Sequence, residues 1–272
     1  MPAYFRRPGR ALAALCVVAL AAPSYAQSTA VASPGKPQAA AAAAPVEAAL
    51  PAAQMILDRH LEAIGGRKTL AARTSVRTVG SVTIPANGMT GTIEVFAARP
   101  NKVLAKTTIA GIGDMSEGFD GTRAWSMSPM TGPMLSTGEE LAQKAFDADF
   151  DSSLNVASRY TSMKTLEKTT FDGRPCYKVS LIRKDGGEDI EFYDVATGLK
   201  AGNIVSRKTP MGTITATSVM TDYKKFGDIL QPTMLKQSMT GVEIVTTFST
   251  IEYDKVDPVI FELPAPIKAL IK

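Results

Sequence analysis

Sulfur-containing side chains cluster in the stretch EGFDGTRAWSMSPMTGPM, residues 117–134. Met127, Met130 and Met134 lie within it and Met115 lies just before it. Soft thioether ligands select Cu(I), so one interpretation is a copper(I) site. Methionine also recurs through the rest of the chain, at positions 89, 163, 211, 220, 234 and 239. Such a diffuse excess favours the wall of an apolar pocket, because thioether chains repack around varied shapes; ordinary core packing is the remaining interpretation.

Three carboxylates alternate in the stretch FDADFDSS. Asp147, Asp149 and Asp151 have the spacing with which a calcium loop begins. An EF-hand loop needs Gly at its sixth position and Glu at its twelfth, where this chain has Ser152 and Ser158. The stretch is therefore more typical of a solvated helix end than of a calcium site.

Candidate catalytic groups are scarce. His60 is the only histidine and lies among charged neighbours, which is typical of a surface or boundary position. Cys176 follows Pro175 in an expected strand, as a buried and inert thiol would. The sequence contains no G-x-S-x-G, H-E-x-x-H or P-loop motif. We therefore predict a protein that is not an enzyme, with no metal centre and no cofactor.

The N-terminus has the pattern of an export signal. Arg6, Arg7 and Arg10 precede the 12-residue apolar run ALAALCVVALAA, and Ser24 and Ala26 supply an A-x-A-like cleavage site. The run is shorter than the roughly 20 residues that a membrane-spanning helix needs. Leu15 precedes Cys16 where a lipidation signal would have a small residue. We predict a signal peptide over residues 1–26, cleaved near Ala26, and a periplasmic protein.

Residues 27–51 consist mainly of Ala, Pro and Ser. Such a segment buries too little apolar surface to offset its ordering entropy, so we predict a disordered tether followed by one domain over 52–272. Removal of the three signal arginines leaves 27 basic against 26 acidic residues. This near-neutral charge argues against a nucleic-acid partner, which would require a basic face. Cys176 alone remains after cleavage, so no intrachain disulfide can form.

The domain begins with a helical pattern and then changes to a period of two. An amphipathic helix is expected over AAQMILDRHLEAI, ending at Gly65 and Gly66, and a second helical region over 138–155 with Thr137 as N-cap and Glu140 completing a capping box. Strands are expected at 76–84, 89–98, 102–109, 161–171, 174–183, 188–194, 200–209, 213–225, 230–240 and 242–252, with a hairpin turning at Asp120-Gly121. Short turns between successive strands indicate antiparallel pairing. The predicted fold is mainly β (α+β), a curved antiparallel half-barrel sheet with a few helices plugging its concave side and a C-terminal segment docked on it.

Four motifs resemble those of the LolA family of periplasmic carriers of outer-membrane lipoproteins. DGTRAWSMSP (120–129) resembles the D-G-x-x-x-W-x-x-x-P hairpin of that family, and IEFYDVATGL (190–199) resembles a strand that ends in D-x-x-T-G-L. DYKKFGDILQPTMLKQ (222–237) resembles the next hairpin, and ILDRHLEAIGG (56–66) the opening helix of lipoprotein-sorting relatives. Together the motifs extend over nearly all of residues 55–272, and the family fold is a half-barrel plugged by helices.

The resemblance implies a non-catalytic carrier or sensor of acylated molecules, and we interpret the chain as a carrier of lipid or acylated cargo. On this interpretation the ligand contacts eight apolar side chains, namely Phe119, Trp125, Met127, Met130, Met134, Leu141, Phe146 and Phe150. Its other partners would be an envelope transport or signalling protein and, transiently, a membrane. Two alternatives stay open, an envelope sensor that binds a partner protein and a methionine-based copper(I)-binding protein.

Overall fold

The computed structural model describes residues 49–209 and 212–271; the expected signal peptide, and the expected tether up to residue 48, lie outside the described residues. Within these ranges five α-helices are present, at Ala53–Ala63 (α1), Gly66–Ala71 (α2), Gly138–Asp147 (α3), Val156–Arg159 (α4) and Ala265–Lys268 (α5). Thirteen strands lie at Ser75–Ile84 (β1), Met89–Ala98 (β2), Lys102–Ile109 (β3), Gly113–Phe119 (β4), Ala124–Ser128 (β5), Gly132–Leu135 (β6), Tyr160–Phe171 (β7), Arg174–Arg183 (β8), Glu188–Asp194 (β9), Lys200–Thr209 (β10), Gly212–Phe226 (β11), Ile229–Met239 (β12) and Val242–Tyr253 (β13).

All thirteen strands form one antiparallel sheet. Its order is β6-β5-β4-β3-β2-β1-β13-β12-β11-β10-β9-β8-β7, so every strand pairs with its sequence neighbour except where β1 pairs with β13 and where helices α3 and α4 separate β6 from β7. The sheet is open, and it confirms the predicted mainly β half-barrel. The ten strands that the alternation predicted are found to within about one residue at each end. The four-residue strand β6 was not predicted, because its Gly-Pro start is typical of a turn.

The two faces of the sheet carry different elements. On the face that we call the inner face, Ile56 and Leu57 of α1 pack against Val179 and Leu181 of β8. Further along the same face, Leu141 and Ala145 of α3 pack against Phe119 and Ala124, and Val103 joins them. Helices α1 and α3 therefore cover the two ends of the inner face, with a gap between them.

The other face, the outer face, is covered near β5 by the C-terminal segment. Trp125 packs there with Phe96 and Leu104, and Phe261 and Ile267 of the C-terminal segment complete the cluster. Gly118, opposite Trp125 in the register, makes room for the indole, since a Cβ at that position would lie 2.9 Å from its ring. The only tryptophan thus anchors the C-terminal segment that the sequence predicted to dock on the sheet.

The first helix breaks at the predicted pair of glycines, which lies where the chain closely approaches β12. Gly65 has a φ of 135°, and a Cβ there would lie 2.7 Å from the carbonyl oxygen of Asp228. The amide of Leu230 donates to the carbonyl of Ile64 and so fixes the approach.

Thr137 is the N-cap of α3 as predicted, but its side chain makes no capping hydrogen bond, so the predicted capping box is wrong.

Replacing Ile267 with Val is expected to lower the free energy of unfolding by about 1 kcal/mol. Ile267 is fully buried, and deleting one buried methyl group costs both its transfer energy and the small cavity that it leaves. Urea denaturation followed by the fluorescence of Trp125 would measure the change. Val259→Ala is the control, because Val259 lies in the same segment with its side chain exposed. Equal losses in the two variants would contradict the docking of this segment.

Candidate functional site

A cavity of about 500 Å³ opens on the inner face, in the gap between α1 and α3. We call it the apolar chamber, because most of its lining is aliphatic or aromatic. Helix α1, helix α2 and the segment 147–154 cover it. Seven strands contribute to its floor, through Val76, Thr78, Val95, Ala97, Val103, Lys200, Met220, Tyr223, Ile229, Leu230, Gln231, Pro232, Phe248, Ile251 and Tyr253. Its size falls within the range of pockets that bind small organic ligands.

The three alternating aspartates hold segment 147–154 in place over this chamber. Asp147 pairs with Arg207 of β10 at 2.9 Å, and Asp149 pairs with Arg159 of α4 at 2.6 Å. Asp151 pairs with Arg99, after β2, at 2.7 Å. Each carboxylate thus points to a different guanidinium, and no group of three metal-ligating His, Cys, Asp or Glu residues occurs in ranges 49–209 and 212–271. The segment is anchored by ion pairs, where the sequence predicted a solvated helix end.

A second cavity of about 240 Å³ adjoins the first, and we call it the polar chamber. His60 and Lys200 line both cavities and so mark the boundary between them. Lys200 forms a short ion pair with Glu191, which also accepts a hydrogen bond from the hydroxyl of Tyr193. Burial alone would raise the pKa of Glu191, but the charge and hydrogen bond of Lys200 outweigh it and the pKa is lowered. The carboxylate therefore stays ionised within the wall.

Asp189 forms the most buried ion pairs of this wall. It lies between Arg183, which it contacts closely, and Arg207 at 2.8 Å. Asp189 and Arg183 are 4% and 7% exposed. Each charge is therefore stabilised mainly by its ion-pair partner, because little water reaches it. Burial would lower the pKa of Arg207, but its hydrogen bonds to Asp147 and Asp189 raise it instead. The polar chamber is thus walled by charges that are already paired.

His60 occupies the boundary as a neutral ring. Its Nδ1 lies 3.2 Å from the carbonyl oxygen of Gly198, which can only accept, so Nδ1 carries the hydrogen. Burial, followed by the positive charge of Lys200, lowers the pKa of His60 to about 4, although Glu191 and the bond to Gly198 act in the opposite direction. At neutral pH, Nε2 is therefore a hydrogen-bond acceptor.

We expect the free energy of unfolding to fall as the pH is lowered from about 6.5 to about 4. The unfolded histidine takes up its proton near pH 6.5, whereas folded His60 resists protonation until about pH 4. In that window acid favours the unfolded chain, by at most about 3 kcal/mol. The pKa of the neighbouring Glu191 is lowered, and burial raises the pKa of Tyr193. Neither group therefore produces the loss of stability near pH 6. Denaturant titrations at several pH values would measure it.

The control for this pH dependence is His60→Asn. The asparagine amide can keep the bond to Gly198 but does not titrate, and the chain has no other histidine. The variant should show a flat stability between about pH 6.5 and pH 5. A wild-type slope that persists in His60→Asn would assign the effect to another group.

Three aromatic or aliphatic residues of the predicted site lie around segment 147–154. Phe150 lines the apolar chamber and is contacted by the guanidinium of Arg99, 5.6 Å from its ring centroid. Phe146 lines the polar chamber, with the guanidinium of Arg159 3.8 Å from its ring centroid. Leu141 packs with Phe119 between α3 and the sheet, beside the chambers and outside their linings. Phe119, Leu141, Phe146 and Phe150 were all predicted to contact the ligand, and that contact stays a prediction.

Of the other four predicted residues, Trp125 and Met127 lie on the face opposite to Phe119. Trp125 pairs with Gly118 and Phe119 with Ala124, so the pleat directs Trp125 and Phe119 to opposite faces. Met127 lies with Trp125 on the outer face, and Met130 and Met134 are exposed. Met134 pairs with Ser126, which directs its side chain away from the face of Met127. This divergence disfavours a shared copper(I) site.

Most chamber residues were not predicted from the sequence. Thr78, Met220 and Phe248 are ordinary members of alternating strands, and only the pairing of β1 with β13 brings the two halves of the floor together. His60 was predicted to be a surface or boundary residue. The groups beside it, Glu191, Tyr193 and Lys200, come from β9 and β10. Alternation along β1 and β13 could have identified the residues of the inner face. It could not have shown which part of that face α1 and α3 leave uncovered.

Neither a scan against protein-family models nor a search of curated proteins returned a match. Solved structures do match. A LolA superfamily protein from Nitrosomonas europaea is 14% identical, with a TM-score of 0.52 over 79% of this chain and 99% of that one. A DUF1329 family protein from Desulfovibrio piger is 12% identical, with a TM-score of 0.51 over 77% of this chain and 97% of that one. The chain therefore has a LolA-like fold.

Proposed function

We propose that the protein is an exported, non-catalytic carrier that binds the acyl part of a lipid or acylated cargo in the apolar chamber. The observation that carries this proposal is the cavity itself, about 500 Å³ of mainly apolar space on the inner face of a LolA-like sheet. The signal peptide predicted over residues 1–26 supports a periplasmic location. No helix of the described ranges is long and apolar enough to span a membrane.

Burial of acyl methylenes would supply the binding energy. Each methylene transferred from water contributes about 0.8 kcal/mol, so a chain of about 14 carbons contributes on the order of 10 kcal/mol before the costs of association. Met220 and Phe150 are among the lining side chains, and Met in particular can repack around chains of different shape. A carrier needs no more chemistry than this. The charged groups of the adjoining polar chamber are engaged in ion pairs with one another or with neighbouring residues.

A chain-length series tests this function. Saturated fatty alcohols of about 8 to about 14 carbons would compete with a fluorescent acyl probe for the purified domain. Affinity should rise by up to about fourfold per methylene until the chamber is full, because each methylene adds about 0.8 kcal/mol. Affinity that does not depend on chain length, or no competition at all, would contradict the carrier and favour the sensor that binds a partner protein.

A further inference from the structure

The polar chamber has the properties of a headgroup site, and this inference rests on the proposed function. It adjoins the apolar chamber, and His60 and Lys200 form part of the lining of both. A ligand with an acyl chain in the larger cavity would therefore place its polar end in the smaller one. The residues that line the polar chamber determine which kind of headgroup it can bind.

The charges of the polar chamber are balanced and paired. Its lining holds three cations, Arg159, Lys200 and Arg207, and three carboxylates, Asp147, Asp189 and Glu191. Lys200 pairs with Glu191, Arg207 with both aspartates, and Arg159 with Asp149. An anionic headgroup would find no cation in surplus, and it would have to compete with carboxylates that are already bound. An uncharged headgroup meets no such cost.

Two acceptors of the same lining have no donor. The carboxamide oxygen of Asn203 is buried and without a hydrogen-bond partner within the described chain. The Nε2 atom of His60 accepts no hydrogen bond from any residue that the structure describes, while Nδ1 is occupied by Gly198. The buried carboxamide oxygen of Asn203, left without a donor, costs about 1–3 kcal/mol, which a ligand that donates to it would recover.

We propose that the polar chamber binds an uncharged, hydroxyl-bearing headgroup, which donates hydrogen bonds to Asn203 and His60 while its acyl chain fills the apolar chamber. A hydroxyl can donate to these acceptors and can also accept from the Lys200 ammonium group at the boundary. An ester or ether headgroup, which has no donor, leaves both acceptors unsatisfied. The site therefore selects for donors in the headgroup, whereas the apolar chamber selects for chain length.

The test compares three ligands with one acyl chain: a 1-monoacylglycerol, the methyl ester and the ionised fatty acid. At pH 8 the wild-type protein should bind the monoacylglycerol about tenfold more tightly than the ester, which corresponds to two ordinary hydrogen bonds. Asn203→Leu should lower monoacylglycerol affinity several-fold and leave the ester unchanged, and the unchanged ester shows that the variant is folded. His60→Asn, which can keep the bond to Gly198, should also reduce the preference.

The outcomes separate the headgroup site from the carrier function. Equal affinity for monoacylglycerol and ester, or tightest binding of the ionised fatty acid, would overturn the headgroup site and leave the carrier intact. A preference that survives in both Asn203→Leu and His60→Asn would also overturn it. Binding of none of the three ligands would overturn both the headgroup site and the carrier.

Discussion

Replacing Thr78 with Phe is expected to weaken the binding of an acyl ligand by at least about tenfold. Thr78 lies at the centre of the sheet on β1, and its side chain lines the apolar chamber. A benzyl ring there displaces at least two methylenes of the ligand, each of which contributes about 0.8 kcal/mol. Titration with a fluorescent acyl probe would measure the change, and thermal unfolding would confirm that the variant is folded.

Val79→Phe is the matched control for this substitution. Val79 is the next residue of the same strand and points to the outer face, opposite Glu94 and Thr250 in the register. It is half-buried like Thr78, so both variants add a ring to a similar environment on the same strand. Val79→Phe should bind the probe as the wild type does. Similar losses in the two variants, or no loss in Thr78→Phe, would place the ligand outside the chamber.

Replacing Asp189 with Asn is expected to lower the free energy of unfolding by about 3–5 kcal/mol. The substitution keeps the shape of the side chain but leaves Arg183 buried without its main counter-charge and weakens the pairing of Arg207. Breaking a buried pair from one side has a cost of this size, because the remaining charge cannot return to water. Urea denaturation at neutral pH would measure the loss.

Asp185→Asn is the control, because Asp185 contacts the same Arg183 at 3.2 Å with its own carboxylate 56% exposed. Exposed ion pairs contribute little, so this variant should lose less than about 1 kcal/mol. If both variants lost the same small amount, the wall of the polar chamber would not depend on the buried charge of Asp189.

The strands were predictable because each carries its own signal. Alternation identified β1 to β3 and β7 to β13, and turn residues such as Asp120 and Gly121 separated the strands of the hairpins. Gly65 and Gly66 likewise ended α1 where expected, since their positive φ angles are a local property of the chain. The half-barrel followed from these local signals, because antiparallel neighbours joined by short turns leave few alternative arrangements.

The site was less predictable because it depends on pairings distant in sequence. The cluster of Phe119, Trp125 and Met127 looks continuous in sequence, but the pleat divides it between two faces, and the C-terminal segment covers Trp125. The chamber instead forms where β1 meets β13, from one to four residues of each of seven strands. Asp147 likewise binds Arg207, sixty residues away, and no local pattern indicated that partner.

Native mass spectrometry of the protein, purified gently from an envelope fraction, is the most direct test of the central claim. Lipids extracted from the same sample would then be identified. The carrier account predicts a co-purifying acylated species at close to one per protein, with a hydroxyl-bearing, uncharged headgroup. A ligand-free mass, together with failure to take up a fluorescent acyl probe, would contradict the account and leave the apolar chamber as an unoccupied feature of the fold.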